Sequence, residues 1–295
     1  MNLLMARSMV SSVYPILVYS QPLIAYAVGA ALARSETVQV HRFESQADAV
    51  SVLNQDLSGT DIVLTVKSLL PPLSAQEVGT IRCIGLNYRS HAAEMNFTLP
   101  TYPSVFFKPS SCLGAPNAPL VIPHQAIDQQ ADYEAELSVV LGRECRNVDK
   151  ADVLDYVLGY MCANDVTARK WQVAGGTTQW GYGKGFDGFA PMGPCLVSSL
   201  EIPDPEVIEL KTTLNGQTMQ QGRVDDMIFS IPEIVSFLSQ GTTLKAGTVI
   251  ITGTPHGIGA SRDPPVFMQD GDDIRIVMSH GLGSLVNQVK YEQKP

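Results

Sequence analysis

From Ile81 onward, short apolar runs alternate with turns rich in glycine and proline. Runs at Leu137–Leu141, Tyr156–Cys162 and Gly247–Ile251 predict buried strands, because their apolar residues are unbroken or recur with period two. Helical spacing is confined to Val153–Val157, Ile231–Leu238 and the turns that follow Val166. Upstream, Ala47–Leu53 reads as a helical turn or two and Asp61–Val66 as a strand. Ser68–Val78, with Pro71 and Pro72, reads as a linker. Many short strands and few helices predict an α+β, mostly β fold and argue against alternating βα units. The division expected is a small N-terminal region, residues 1–75, and a main domain, residues 76–295.

The N-terminal region is unusual in carrying no charged residue between Arg7 and Arg34. A leader or a membrane anchor behind Arg7 is one reading. Pro15, Gln21 and Pro22 interrupt the apolar run, so we expect strands there and no membrane partner. A chain of 295 residues that is 45% hydrophobic can bury a sizeable core. Its net charge of −9 and its lack of any basic cluster exclude nucleic acid as a partner. Five cysteines, an odd number with no CxxC pair, suit a reducing compartment. That places the chain in the cytoplasm, with a mitochondrial location as the alternative.

Candidate chemistry begins with Glu134 and Glu136, two residues apart in strand-like sequence and therefore on one face. Two buried carboxylates side by side need a positive partner, and an all-oxygen site suits Mg²⁺, Mn²⁺ or Ca²⁺ better than zinc. The alternative is an edge strand bearing two solvated glutamates. Asp165 supplies a third acid where the strand Tyr156–Cys162 runs into Asn164-Asp165; its alternative role is a helix N-cap. In the turns after Val166, Arg169 and Gln172 share a face and can grip a carboxylate and an oxo or hydroxyl group. His91 and Glu94, three apart, make a base with its orienting carboxylate, or else an ordinary surface ion pair. Lys184 sits between two glycines that allow close backbone approach to a ligand. The run Gly183–Gly188 also fits GxGxxG, but Phe-Ala-Pro-Met-Gly-Pro follows and cannot open a helix, so no dinucleotide cradle is expected. His41, His124 and His280 have no constellation around them.

Five segments occur in order: Ile84–Glu94, Asp132–Leu137, Asn164–Arg169, Gly183–Pro194 and Thr252–Gly259. Together they resemble the fumarylacetoacetate hydrolase superfamily, in particular its acylpyruvase and oxaloacetate decarboxylase branch with fungal members. The resemblance runs from about residue 62 to residue 290. It implies a mixed β-sandwich roll assembled as a homodimer. It also implies an enzyme acting on a small 2-oxo acid, with Mg²⁺ or Mn²⁺ held by Glu134, Glu136 and Asp165; Ca²⁺ is a possible substitute. By the same resemblance His91 and Glu94 form a water-activating dyad on a lid, and Lys184 stabilises developing negative charge. Lys108, Arg169, Gln172 and Thr254 would bind substrate. The reaction implied is C–C cleavage through a stabilised enolate, by acylpyruvate-type hydrolysis or oxaloacetate-type decarboxylation. Isomerisation or hydration of a 2-oxo-dienoate, and a non-catalytic relative, are the alternatives.

Overall fold

The computed structural model describes the backbone of residues 3–10, 12–19, 38–42, 60–64 and 69–293, with side chains from residue 70. Strands Ala135–Leu141 and Val157–Asn164 are buried at every position and pair antiparallel within an 11-stranded sheet. Their unbroken burial follows from cover on both faces. Leu137, Val139 and Leu141 enter one core, whereas Val140 enters another on the opposite face. On one side the sheet continues through Val249–Ile251 and Ile81–Gly85 to the edge strand Ser104–Lys108. On the other it continues through Leu196–Ser198 to Leu3–Val10, Ser12–Tyr19, Val38–Arg42 and Thr60–Leu64.

A second sheet of five strands runs Gln217–Arg223, Glu209–Leu214, Asp273–Met278, Gly283–Tyr291 and Leu120–Ile122. Its Leu210, Ile276, Met278 and Leu285 share a core with Leu137, Val139 and Tyr160 of the large sheet, so the two sheets pack as a sandwich. Helix Ile231–Ser239 closes one end of that core with Ile231, Ile234 and Val235. Its start is written in the sequence. Ser230 and Glu233 form a capping box, the Ser230 N–H donating to the Glu233 carboxylate at 2.9 Å.

Three local expectations are corrected. The turn expected from Val166 begins at Arg169, because Thr167–Ala168 first pairs antiparallel with Ala131–Asp132. Of Val153–Val157, the first four residues end a 3₁₀ helix, Lys150–Tyr156, and Val157 opens the strand Val157–Asn164. The Ser68–Val78 linker contains the strand Leu69–Leu70 and a short helix, Ala75–Val78, capped by Ser74. The helical turns expected at Ala47–Leu53 fall outside the described residues. Strand Ala190–Pro191 follows the GxGxxG run, so no helix opens there. Among the described residues no helix is long and apolar enough to cross a membrane.

Candidate active site

Two strand ends build the floor of the site. Asp132 and Glu134 come from the segment that leads into Ala135–Leu141, Glu136 from the start of that strand, and Asp165 from the corner after Val157–Asn164. The corner is fixed against the first segment: Asn164 Oδ1 accepts from the Glu134 N–H (3.0 Å) and the Asp165 N–H donates to the Glu134 carbonyl (2.9 Å). Carboxylate oxygens of Glu134, Glu136 and Asp165 therefore lie within 4.8 Å of one another, all buried. Asp165 is not a helix cap. Its two oxygens accept from Lys108 Nζ (2.5 Å) and Lys184 Nζ (2.7 Å), while the helical turn that follows is capped by Ala168 without a side-chain bond.

Charge is unevenly shared across this floor. Lys184 Nζ also reaches Glu134 Oε2 (3.0 Å) and Thr167 Oγ1 (2.7 Å), and Arg169 forms ion pairs with Glu134 (2.7 Å) and Asp132 (2.8 Å). Burial alone would push the Glu134 carboxyl up, but Lys184 and Arg169 outweigh it and bring its pKa down to about 2. Burial likewise works against the Lys184 ammonium, and the Asp165 and Glu134 carboxylates overcome it, so its pKa is raised. Glu136 forms no ion pair among the described residues, and the nearby Lys184 charge only partly offsets its burial. Burial, then Asp165, then Glu134 push its pKa well above the usual carboxylate range. Its described hydrogen bond is from the Gly253 N–H at 2.5 Å. Gly253 takes φ +97°, and a Cβ there would lie 2.7 Å from Asn87 Cβ, so only glycine brings this amide to Glu136. Three buried oxygen donors, one of them without a cationic partner among the described residues, fit a hard divalent cation.

Above the floor opens a cavity of about 310 Å³ lined by Glu134, Glu136, Asp165, Arg169, Lys184 and His91 among others. His91 and Glu94 lie on helix Arg89–Glu94, with His91 Nδ1 2.9 Å from Glu94 Oε2. The other Glu94 oxygen accepts from the Gly257 N–H (2.7 Å) and the Ser261 hydroxyl (2.6 Å). Burial opposes ionisation of Glu94, yet these bonds and that of His91 lower its pKa. The Arg89 guanidinium donates to the Met227 carbonyl and Asp226 accepts from the Ser90 N–H (3.0 Å), which holds the start of the helix.

The remaining sequence-predicted residues divide. Gln172 and Thr254 line the cavity, and Arg169 Nη1 donates to Gln172 Oε1 at 3.3 Å. The Thr254 hydroxyl already donates to the Ala135 carbonyl (2.9 Å) and accepts from Gln220 Nε2 (2.7 Å), leaving its backbone N–H for a ligand. Lys108 is fully buried behind Asp165, bonded also to the Phe189 carbonyl (2.6 Å) and off the cavity wall. Sequence reasoning missed Asp132, which is fully buried. It accepts from the N–H groups of Tyr133 (2.8 Å), Gly259 (2.8 Å) and Ala260 (2.9 Å) and from Arg169 Nε (2.8 Å). Its signal was the continued spacing of two, Asp132-x-Glu134-x-Glu136. Asp132→Ala strands backbone donors and half of the Arg169 pairing. The expected cost is about 3 kcal/mol of folding stability. A loss below about 1 kcal/mol in denaturant unfolding would remove Asp132 from the frame of the site.

Comparison with known proteins places this geometry. Residues 80–290 match the family model described as fumarylacetoacetate (FAA) hydrolase C-terminal. Over 269 residues the chain is 39% identical to a caffeoylpyruvate hydrolase of Neonothopanus nambi, covering 90% of this chain and 86% of that one. It is also 39% identical over 222 residues to a mitochondrial oxaloacetate tautomerase of Xenopus laevis, covering 75% and 68%. A solved structure of 2-hydroxyhepta-2,4-diene-1,7-dioate isomerase from Mycobacterium marinum superposes with a TM-score of 0.78 at 29% identity over the whole of both chains. The chain belongs to the fumarylacetoacetate hydrolase family.

Proposed function

We propose that this protein hydrolyses the C–C bond of an acylpyruvate, giving a carboxylic acid and pyruvate. The observation that carries this reading is the His91–Glu94 dyad on the wall of the cavity whose floor is the acid cluster. A decarboxylase or an isomerase needs that floor but no group to activate water. Similarity to a caffeoylpyruvate hydrolase supports hydrolysis, and similarity to a tautomerase and an isomerase supports the same enolate chemistry on the floor.

Glu134, Glu136 and Asp165 would hold a divalent cation, Mg²⁺ or Mn²⁺, which when bound supplies Lewis-acid charge to the 2-oxo acid end of the substrate. The Thr254 N–H would receive the substrate carboxylate, and Gln172, which lines the same cavity, a substrate oxygen. With Nδ1 facing the Glu94 carboxylate, the His91 proton resides on Nδ1 and Nε2 is the basic nitrogen. His91 Nε2 takes a proton from water as the oxygen attacks the carbonyl distal to the carboxylate. Cleavage then leaves the bonding pair on the pyruvate fragment as an enolate, beside the Lys184 ammonium, and return of the proton that His91 took from water to that carbon gives the methyl group of pyruvate and restores the base.

The test is an assay of chelator-stripped protein, with and without restored Mg²⁺ or Mn²⁺, on acetylpyruvate, benzoylpyruvate and oxaloacetate supplied separately. Cation-dependent release of pyruvate from an acylpyruvate is expected. Turnover of oxaloacetate with neither acylpyruvate cleaved would replace hydrolysis by decarboxylation or tautomerisation.

A further inference from the structure

We infer that the site takes a 2-oxo acid with one carboxylate and an uncharged, apolar acyl group of aryl size, and that it discriminates against dicarboxylates. The inference rests on the hydrolase reading above and narrows it. The ionisable groups of the cavity wall all belong to its floor or to the dyad: Glu134, Glu136, Asp165, Arg169, Lys184 and His91. Beyond His91 the wall is Met95, Phe97, Phe106, Val173 and Trp180, with the uncharged Thr178. Met95 is four residues past His91, so the segment that carries the base also carries the start of the apolar wall.

Two of these side chains are left uncovered by the fold. Phe97 is 55% exposed and Val173 59% exposed, and neither belongs to any of the three hydrophobic cores. Both face a cavity continuous with the reaction centre, so a substrate group is what can cover them. Trp180 is seated rigidly for the same task. Its ring lies where a Cβ on Gly85 would be, 2.1 Å away, and it meets the Phe106 ring edge-on at 5.4 Å between centroids. The Phe106 ring also meets the Lys184 ammonium, 5.3 Å from its centre. A planar acyl group entering between Trp180 and Phe97 would find aromatic surface close to the charged floor.

Charge argues the same way. Four buried carboxylates (Asp132, Glu134, Glu136, Asp165) face two buried cations, Lys108 and Lys184, and the partly buried Arg169 around the floor. A divalent cation reverses the imbalance to one positive charge, and a single substrate carboxylate neutralises it. A second carboxylate would lie among Met95, Phe97 and Trp180 with no cation to meet it, which costs free energy in a partly dry site.

Calorimetric binding to the Mg²⁺-loaded protein tests this without turnover. The probes are 2-oxobutanoate, 4-phenyl-2-oxobutanoate and 2-oxoglutarate, none of which has the distal carbonyl that hydrolysis attacks. The phenyl compound is expected to bind about tenfold or more tightly than 2-oxobutanoate, and 2-oxoglutarate more weakly than either. Phe97→Ser, at an exposed position with little bearing on folding, and Trp180→Ala should each weaken binding of the phenyl compound more than that of 2-oxobutanoate. Equal or tighter binding of 2-oxoglutarate, or no phenyl advantage in the wild-type protein, would overturn the inference. Failure to cleave any acylpyruvate, with the phenyl preference intact, would instead count against the hydrolase reading.

Discussion

Replacing His91 by alanine is expected to slow acylpyruvate hydrolysis by roughly 10²- to 10⁴-fold while leaving divalent-cation binding intact. The magnitude is that of a positioned general base, and the geometry gives no second candidate on the cavity wall. Glu134, Glu136 and Asp165 are committed to the floor, and Lys184 is held as a cation by two of them. Among the described residues His91 forms its side-chain hydrogen bond with Glu94 and none with that floor. A role in binding the cation would therefore be unexpected, and the separation of the two readouts is diagnostic. Glu94→Gln should give a smaller loss, since the amide still accepts from Gly257 but no longer stabilises the charged imidazole. Undiminished hydrolysis by His91→Ala would remove the dyad from the mechanism.

The second large effect is expected at Glu136. In the cation-free protein this carboxyl is desolvated and lies beside Asp165 and Glu134, so Glu136→Gln removes an unfavourable charge while an amide oxygen can still accept from Gly253. Folding stability without cation should be unchanged or slightly raised. With cation the result reverses: at about 100 times its dissociation constant a ligand adds roughly 2.7 kcal/mol to the wild-type protein, and the variant should gain almost none of it. A pH dependence follows from the sign of the shift. A carboxyl whose folded pKa lies above its unfolded value binds more protons in the native state. The cation-free wild type therefore loses this contribution as pH rises from the ordinary glutamate value through the raised one. Glu134 acts oppositely, its contribution being complete above the ordinary value and lost as pH falls toward about 2. Thermal or chemical denaturation with and without Mg²⁺ measures all of this. A variant that keeps the full cation-induced stabilisation would exclude Glu136 as a ligand.

What was legible in the sequence follows from how local each signal is. Period-two spacing placed Glu134 and Glu136 on one face, and burial on both sides of Ala135–Leu141 turned that spacing into a site. Helix Ile231–Ser239 was readable because its capping box and apolar stripe lie within one segment. The start of the helical turn at Arg169 was not, because pairing of Thr167–Ala168 with Ala131–Asp132 joins residues far apart in the chain. The place of Lys108 was not legible for a similar reason: the resemblance implies a substrate-binding lysine, and the edge strand Ser104–Lys108 directs it to Asp165 and two carbonyls behind the floor. The anchoring of Glu94 by Gly257 and Ser261 crosses more than 160 residues, with no local pattern to announce it.

The most direct test of the account is cleavage of an acylpyruvate in H₂¹⁸O by the Mg²⁺-loaded protein, with both products analysed by mass spectrometry at short times. Water attack on the distal carbonyl predicts pyruvate and a carboxylic acid in equal amounts, with one ¹⁸O delivered to the carboxylic acid by the reaction. An acid that forms without solvent oxygen, or a substrate that is only tautomerised or decarboxylated, would contradict it.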